Sequence, residues 1–301
     1  MKTSVVLTTY NGEKYIIQLL DSLNKQSRKI DEVLIVDDCS NDKTQELVKK
    51  YINENKLDNW KFIINKCNLG WELNFTTALN MSTGDIIFPA DQDDIWHFDK
   101  IERMAAEFEK NENIWVMVSS FCAFSNEGKC NEILHRVPTK NNMKNGFVEF
   151  NNKYYQILRP GCTMAVKRDV LPIFVKLWEP GTPHDALLWT LAAITRKLYL
   201  YDEVLIDYRR HKDNASKDIS HGVKYKINEI ARTKKINNWY KESLYVNSKD
   251  LKVVNEIDIW CNYREELLVN KKFRYWFKLI KYRNCYLTNK KFLGDIYYFF
   301  K

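Results

Sequence analysis

Glycine and proline are scarce, nine and six in 301 residues, which excludes collagen-like and low-complexity chains. No stretch approaches the roughly 18 to 20 consecutive apolar residues of a membrane-spanning helix. The longest candidate, Ile114 to Phe124, is short and holds two serines. The start of the chain, Met1-Lys2-Thr3 ahead of Ser4-Val5-Val6-Leu7, lacks the long apolar core and cleavage site of a signal peptide, so a cytoplasmic protein is expected. Seven cysteines (Cys39, Cys67, Cys122, Cys130, Cys162, Cys261, Cys285) are scattered and never spaced C-x-x-C. That excludes a disulfide framework or a zinc site and leaves buried, reduced thiols as the expectation. Neither G-x-x-x-x-G-K-S/T nor G-x-G-x-x-G occurs, so a P-loop and a dinucleotide site are both unsupported.

What is present is the composition of an ordinary packed protein: 45% hydrophobic, 29% charged, with nine Trp, 17 Tyr and 15 Phe. The length allows one large domain or two modest ones. The net charge of +8 is concentrated at one end. Residues 271–301 carry nine Lys/Arg, one acid and eleven aromatics, whereas the first 270 residues are electrically balanced. Bases interleaved with rings suit an anionic membrane surface, each base adding about 1 kcal/mol near it. A terminal helix packing its rings inward is the plain alternative, and nucleic acid is not expected as a partner.

Along the first 110 residues, apolar runs alternate with amphipathic segments. Ser4–Thr9, Val33–Val36, Lys61–Asn65 and Ile86–Ala90 read as strands, while Glu13–Asn24, Lys43–Asn53 and Glu72–Met81 read as helices. The alternation predicts an α/β fold with a mostly parallel sheet covered by helices. Beyond it, Trp115–Phe124, the turn and strand at 160–166, and Tyr199–Tyr208 read as further strands, with a helix opening at His184-Asp185. From about residue 220 the pattern is helical, and a soft boundary falls near residue 215. Residues 125–153 read as a polar loop or extension.

Three strands end directly in polar clusters: Thr8-Thr9-Tyr10-Asn11, Asp37-Asp38 and Asp91-Gln92-Asp93-Asp94. Parallel strands place these at one sheet edge, where open α/β sheets bind ligands. Three acids in four positions repel one another unless a cation lies among them, and Mg²⁺ prefers one or two carboxylates plus phosphate oxygens. An EF-hand is excluded, because its loop glycine would be Trp96. A solvated turn capping the helix near Asp99 is the alternative. Asp37-Asp38 suit either recognition of a base and ribose or helix capping. Asp185, at a helix start, suits either a general base or an N-cap. His211 suits phosphate or metal, or a structural role.

Taken in order, Ser4-Val-Val-Leu-Thr-Thr-Tyr-Asn-Gly, Val-Asp37-Asp38-Cys-Ser-Asn-Asp-Lys-Thr, Asn68-Leu-Gly and Asp91-Gln-Asp-Asp-Ile-Trp resemble the family 2 glycosyltransferases of the GT-A (Rossmann-like) fold. Gly161-Cys-Thr-Met-Ala, His184-Asp185 and Tyr208-Arg-Arg-His211 narrow the likeness to the bacterial rhamnosyltransferase-like branch. The likeness spans roughly residues 3–215, which implies a catalytic domain over 1–215. Its nucleotide-sugar part is about 1–110 and its acceptor part about 111–215, with a C-terminal helical extension over 216–301.

The resemblance implies roles position by position. Thr9, Tyr10, Glu13 and Asp38 match the base pocket, and Gly70 and Asn74 the segment closing over base and ribose. Asp91 and Asp93 match the D-x-D pair, with Gln92 between them, Asp91 nearer the ribose and Asp93 on Mn²⁺ or Mg²⁺. His211 matches a residue near the metal or diphosphate. Gly161, Cys162, Thr163 and His184 match a donor/acceptor loop, and Asp185 the catalytic base. One departure is Ala186-Leu187-Leu188 where many relatives carry bulky aromatics. The implied activity is inverting transfer from a nucleotide-diphosphate sugar, first dTDP-rhamnose and second a UDP-hexose or UDP-N-acetylhexosamine. The implied acceptor is a saccharide or lipid-linked saccharide of a bacterial surface polysaccharide. A non-catalytic carbohydrate- or membrane-binding module on the same fold is the alternative, and nucleotidyl transfer lacks its Gly-rich basic loop.

Overall fold

Short runs of β-branched and aliphatic residues, buried along their whole length, build the centre of the sheet. In the computed structural model, which describes residues 1–125, 128–129, 136–212, 214 and 222–301, β1 (Thr3–Thr9) and β2 (Glu32–Asp37) are buried at every position. Such strands suit a sheet covered on both faces, as parallel sheets are. β3 (Trp60–Ile64) and β4 (Ile86–Asp91) complete a parallel group in the order β3-β2-β1-β4. The crossovers are α1 (Ile16–Asn24), α2 (Thr44–Glu54) and α3 (Trp71–Met81). α1 buries Ile16, Leu19, Leu20 and Leu23, one helical stripe turned to the core.

The next elements are β5 (Ile95–Trp96), α4 (Lys100–Lys110), β6 (Val116–Ser125), β7 (Gly128–Lys129) and β8 (Asn145–Phe147). They are followed by β9 (Met164–Lys167), α5 (Leu171–Leu177), α6 (His184–Ile194) and β10 (Leu198–Arg209). The sheet continues β4-β9-β6-β10-β5. β9 is antiparallel to both β4 and β6, and β6 is parallel to β10. Six strands therefore run one way, while β9, β5, β7 and β8 oppose them. The polar stretch after residue 125 contributes β7 and β8, two short edge pairings that its composition conceals.

The chain divides into two compact units. One comprises Met1–Val148, Leu158–Leu188 and Lys197–His211, and contains the whole sheet. The other comprises Glu149–Ile157, Trp189–Arg196 and Lys212–Lys301, so it draws in two segments that the sequence groups with the acceptor part. The expected boundary near residue 215 lies outside the described residues, as does Cys130. The second unit contains α7 (Val223–Glu242), α8 (Ser248–Leu268), α9 (Arg274–Leu279), the 3₁₀ segment Ile280–Cys285 and α10 (Asn289–Phe300). At its centre Arg264 donates to Asp295 at 2.7 Å, and the Tyr286 hydroxyl donates to the same carboxylate at 2.7 Å. Burial raises the cost of an unpaired charge, and this pairing offsets it.

Cys162, Cys261 and Cys285 are buried as expected, but Cys39 and Cys67 are exposed, because both sit in polar loops after strands. Among the described residues no helix is long and apolar enough to cross a membrane.

Candidate active site

The strand order places β2 on one side of β1 and β4 on the other, so successive crossovers leave β1 in opposite directions. Ligands of open α/β sheets bind at such a switch point, outside the strand carboxyl ends. The register puts Thr8 beside Asp91 and Thr9 beside Asp37. Immediately beyond, the Gln92 side chain spans the gap: the Tyr10 N–H donates to its Oε1, and its Nε2 donates to the Tyr10 carbonyl, both at 2.9 Å. Gly12 makes room for that amide, since a Cβ there would lie 2.3 Å from Gln92 Oε1. Glu13 accepts from the Lys43 N–H at 3.1 Å, and Tyr10 keeps an exposed ring.

The two aspartates ending β2 have different surroundings. Asp37, fully buried, accepts from the Thr9 hydroxyl, the Ser40 N–H and hydroxyl, and the Gln45 amide. Its carboxylate is engaged in pinning the loop. Asp38 faces the segment before α3. It accepts from Asn65 Nδ2 at 2.9 Å, the Leu69 N–H at 2.8 Å and the Gly70 N–H at 2.9 Å. Gly70 adopts φ +84, a conformation open to glycine at no steric cost. Asn74 accepts from Asn65 at 2.9 Å and donates to the Val36 carbonyl at 3.1 Å, fastening α3 to the end of β2.

The acids ending β4 sit close together at the same edge. Asp93 meets His211 with Oδ2 and Nε2 2.7 Å apart. Asp94 accepts from the Arg209 N–H at 2.9 Å through Oδ1, while its buried Oδ2 has no hydrogen-bond partner. Burial, with the neighbouring charges of Asp93 and Asp185, raises the Asp91 carboxyl to about 7. Burial and the charges of Asp93 and Asp91 push Asp94 well above the usual carboxylate range. Beneath them lies Lys100, fully buried. Its ammonium donates to the Cys162 carbonyl at 2.6 Å and sits 3.7 Å over the Trp96 ring. Burial lowers it to about 8, against the pull of the nearby carboxylates. Arg209, stacked between Tyr15 and Phe124, donates to the Asp93 carbonyl at 2.8 Å and holds the turn.

The third component comes from the 3₁₀ turn Gly161–Thr163 and the start of α6. A Cβ on Gly161 would stand 2.9 Å from His184 Nε2 and 3.1 Å from the Asp185 Cβ. His184 is buried against Phe75, ring centroids 4.2 Å apart, and burial lowers its pKa, so it is neutral. Asp185 accepts from the Ala186 N–H at 2.7 Å in the first turn. Thr163 turns inward, its hydroxyl donating to the Pro160 carbonyl at 2.7 Å.

Thr9, Tyr10, Glu13, Asp38, Gly70 and Asn74 thus line one end of this edge, and Asp91, Gln92, Asp93 and His211 its centre. Gly161, Cys162, Thr163, His184 and Asp185 come alongside, all in the sheet-bearing unit. Sequence reasoning misses Lys100, Asn65 and Arg209. Lys100 had one legible signal: it shares a helix face with Met104 and Phe108, both buried.

The donor set suits a hard divalent ion. One atom from each of Asp91, Asp94 and Cys162 lies within 4.8 Å of the others. The thiol, however, is pushed well above its usual range by burial and the two carboxylates, so it stays protonated and is a poor ligand. Lys100 offsets charge at that inner corner. Asp93 and His211, 2.7 Å apart at the same turn, offer oxygen and imidazole donors beside that group.

Residues 4–172 match the sequence profile "Glycosyl transferase family 2". An uncharacterized glycosyltransferase of Haemophilus influenzae is 26% identical over 85% of this chain and 78% of its own length. The dTDP-rhamnosyl transferase RfbG of Shigella flexneri is 27% identical over 79% of this chain and 82% of its own. The poly(ribitol-phosphate) beta-N-acetylglucosaminyltransferase TarS of Staphylococcus aureus is 39% identical over 108 residues, which are 35% of this chain and 18% of TarS. A crystal structure of TarS 1–349 in complex with UDP-GlcNAc superposes with a TM-score of 0.63 at 21% identity, over 95% of this chain and 88% of that one. With the profile covering more than half of its residues and the sheet order above, the chain belongs to glycosyl transferase family 2 and is a glycosyltransferase of GT-A fold.

Proposed function

We propose that this site transfers a sugar from a pyrimidine nucleoside-diphosphate donor to a saccharide hydroxyl, inverting the anomeric carbon. The observation that carries the reading is the approach of Asp185 to the D-x-D acids, close enough for its charge to help raise Asp91. That proximity supports a base working beside a diphosphate-binding centre. Asp185, at the first turn of α6, takes the proton of the acceptor hydroxyl as that oxygen attacks the anomeric carbon. The nucleoside diphosphate departs from the opposite face, so a single displacement suffices. The side chains of Asp93 and His211 would hold Mg²⁺ or Mn²⁺, which when bound supplies Lewis-acid neutralisation of the leaving diphosphate. Asp38, with Thr9, Tyr10, Glu13, Gly70 and Asn74, borders the base and ribose. Gly161 to Thr163 and His184 position donor sugar and acceptor.

For the donor, dTDP-rhamnose is the first reading, supported by the long match to a dTDP-rhamnosyl transferase. UDP-N-acetylglucosamine is the second, supported by the overlay on TarS bound to that sugar nucleotide. The acceptor class is a saccharide or lipid-linked saccharide of a bacterial surface polysaccharide, met at the cytoplasmic face of the membrane. The test incubates the purified chain with Mn²⁺, each donor and saccharide acceptors, and follows release of nucleoside diphosphate. Asp185→Ala and Asp93→Ala should each cut turnover by about 10²-fold or more. Turnover retained in either folded variant, or release of pyrophosphate instead, would overturn the reading. The anomeric coupling of the product by NMR decides inversion.

A further inference from the structure

A helix on a protein surface ordinarily turns its polar face to water. The last two helices turn large apolar side chains to water as well. Along α9 and its continuation, Phe273, Phe277 and Ile280 are exposed at spacings of four and three residues. Along α10, Leu293, Tyr297 and Phe300 repeat that spacing, with Phe277 62% and Phe300 73% exposed. The inward face is equally apolar, Trp276 stacking on Phe292 with centroids 4.3 Å apart, so the outer stripe is not needed for the core. The two stripes join: Phe273 meets Phe277 at 5.7 Å, Phe299 at 5.2 Å and Phe300 at 5.8 Å between ring centroids.

Within the segment itself the charges are nearly all of one sign, although Lys272 pairs with Glu266 of α8 at 2.6 Å. Residues 271–301 hold nine bases, all on exposed or partly exposed positions, and a single acid, Asp295. That acid is fully buried and neutralised by Arg264 and Lys226. The surface of the segment therefore presents bases and rings without a carboxylate of its own. A nucleic acid would engage the bases but leave Ile280, Leu293 and Phe277 in water, and a second copy of this chain would bring like charge against like.

We infer that α9 and α10 form a lipid-facing surface, docking on an anionic bilayer with Phe277, Ile280, Leu293 and Phe300 inserted among the headgroups. Lys271, Arg274, Lys278, Lys281, Lys290 and Lys301 then sit at the phosphate level. This deepens the proposed function by assigning a site to the membrane at which a lipid-linked acceptor would be met, yet it stands on the second unit alone.

The experiment is co-sedimentation of the full chain with vesicles of phosphatidylcholine alone and with one-third phosphatidylglycerol. Wild type should bind the anionic vesicles at least tenfold better. Phe277→Ser with Phe300→Ser, and separately Lys278→Glu with Lys290→Glu, should each weaken that binding at least tenfold. Turnover of a soluble acceptor should stay unchanged in both, which keeps failure here distinct from failure of the glycosyl-transfer reading. No binding to anionic vesicles, binding indifferent to the Phe pair, tighter binding to RNA than to vesicles, or a dimer abolished by the Phe pair would each overturn the inference.

Discussion

Gln92 and Tyr10 exchange two hydrogen bonds, side chain to backbone, across the ends of β4 and β1. Neither strand pairs its backbone there, so the amide fixes the distance between the 9–13 loop and the acid cluster. Gln92→Ala removes both bonds from a partly exposed site, a loss of about 1 kcal/mol of stability. The larger effect is expected on donor binding, with KM for the nucleotide sugar rising about fivefold to tenfold and kcat moving little. Steady-state kinetics with one donor varied measures it. An unchanged KM would mean that the 9–13 loop holds its place without Gln92.

Asp38 gathers three donors, from Asn65, Leu69 and Gly70, onto one carboxylate. Asp38→Ala strands them, at a combined cost of about 3 kcal/mol, which corresponds to a fall in Tm of roughly 6–12 °C. Asp38→Asn retains one acceptor but turns an amide toward an N–H, so its Tm should fall between the two. Nucleotide affinity should fall in the same order. Thermal melts with and without UDP or dTDP check both rankings.

Gly161 is a matter of space. Its φ is ordinary, but an added methyl would meet His184 Nε2 at 2.9 Å and the Asp185 Cβ at 3.1 Å. His184, stacked on Phe75, has little freedom to yield, so Gly161→Ala should displace the start of α6. If Asp185 is the base proposed above, a small displacement is felt strongly, and kcat should drop by about 10²-fold. KM for the donor should change less than threefold, because the loops after β1 and β2, proposed to hold the nucleotide, lie on other strands. A variant with normal kcat would show that Asp185 tolerates the shift.

The sheet-edge clusters were legible because their logic is local. Apolar β-branched runs declare β1, β2 and β4, and polar residues at the ends of parallel strands must gather. Pairing partners were less legible. The stretch 160–166 reads as a turn into a strand, but nothing in it states that β9 enters antiparallel between β4 and β6. Two acids in sequence, Asp37 and Asp38, also look equivalent. Their separation into a loop pin and a clamp on the 68–70 segment depends on Thr9, Ser40 and Gln45, brought together only by the fold. Lys100 was hidden for a similar reason, since a lysine one residue into a charged helix reads as solvated. The second unit's recruitment of 149–157 and 189–196 is a long-range choice made by side chains such as Tyr154, which bonds Asn237.

The buried charges predict an unusual pH dependence. Asp91 in the folded chain holds its proton up to about 7, against an ordinary value of 3.8. Between those values the folded state binds more protons than the unfolded, so stability declines as pH rises through this window. Its favourable contribution is complete below the unfolded pKa and gone above about 7. Lys100 works in the other direction. Folding lowers it from 10.5 to about 8, so between those values the unfolded chain binds more protons and stability climbs with pH. The two limbs enclose a minimum between about pH 7 and pH 8. Urea unfolding in EDTA from pH 5 to pH 10 measures it, read as the difference between wild type and each variant. Asp91→Asn should flatten the acidic limb, by a few kcal/mol across the window. Lys100→Met should flatten the alkaline limb, because it removes the buried ammonium that titrates there. If wild type and Asp91→Asn run parallel from pH 5 to pH 7, the acids are not held against their charge, and the case for a cation among them falls too.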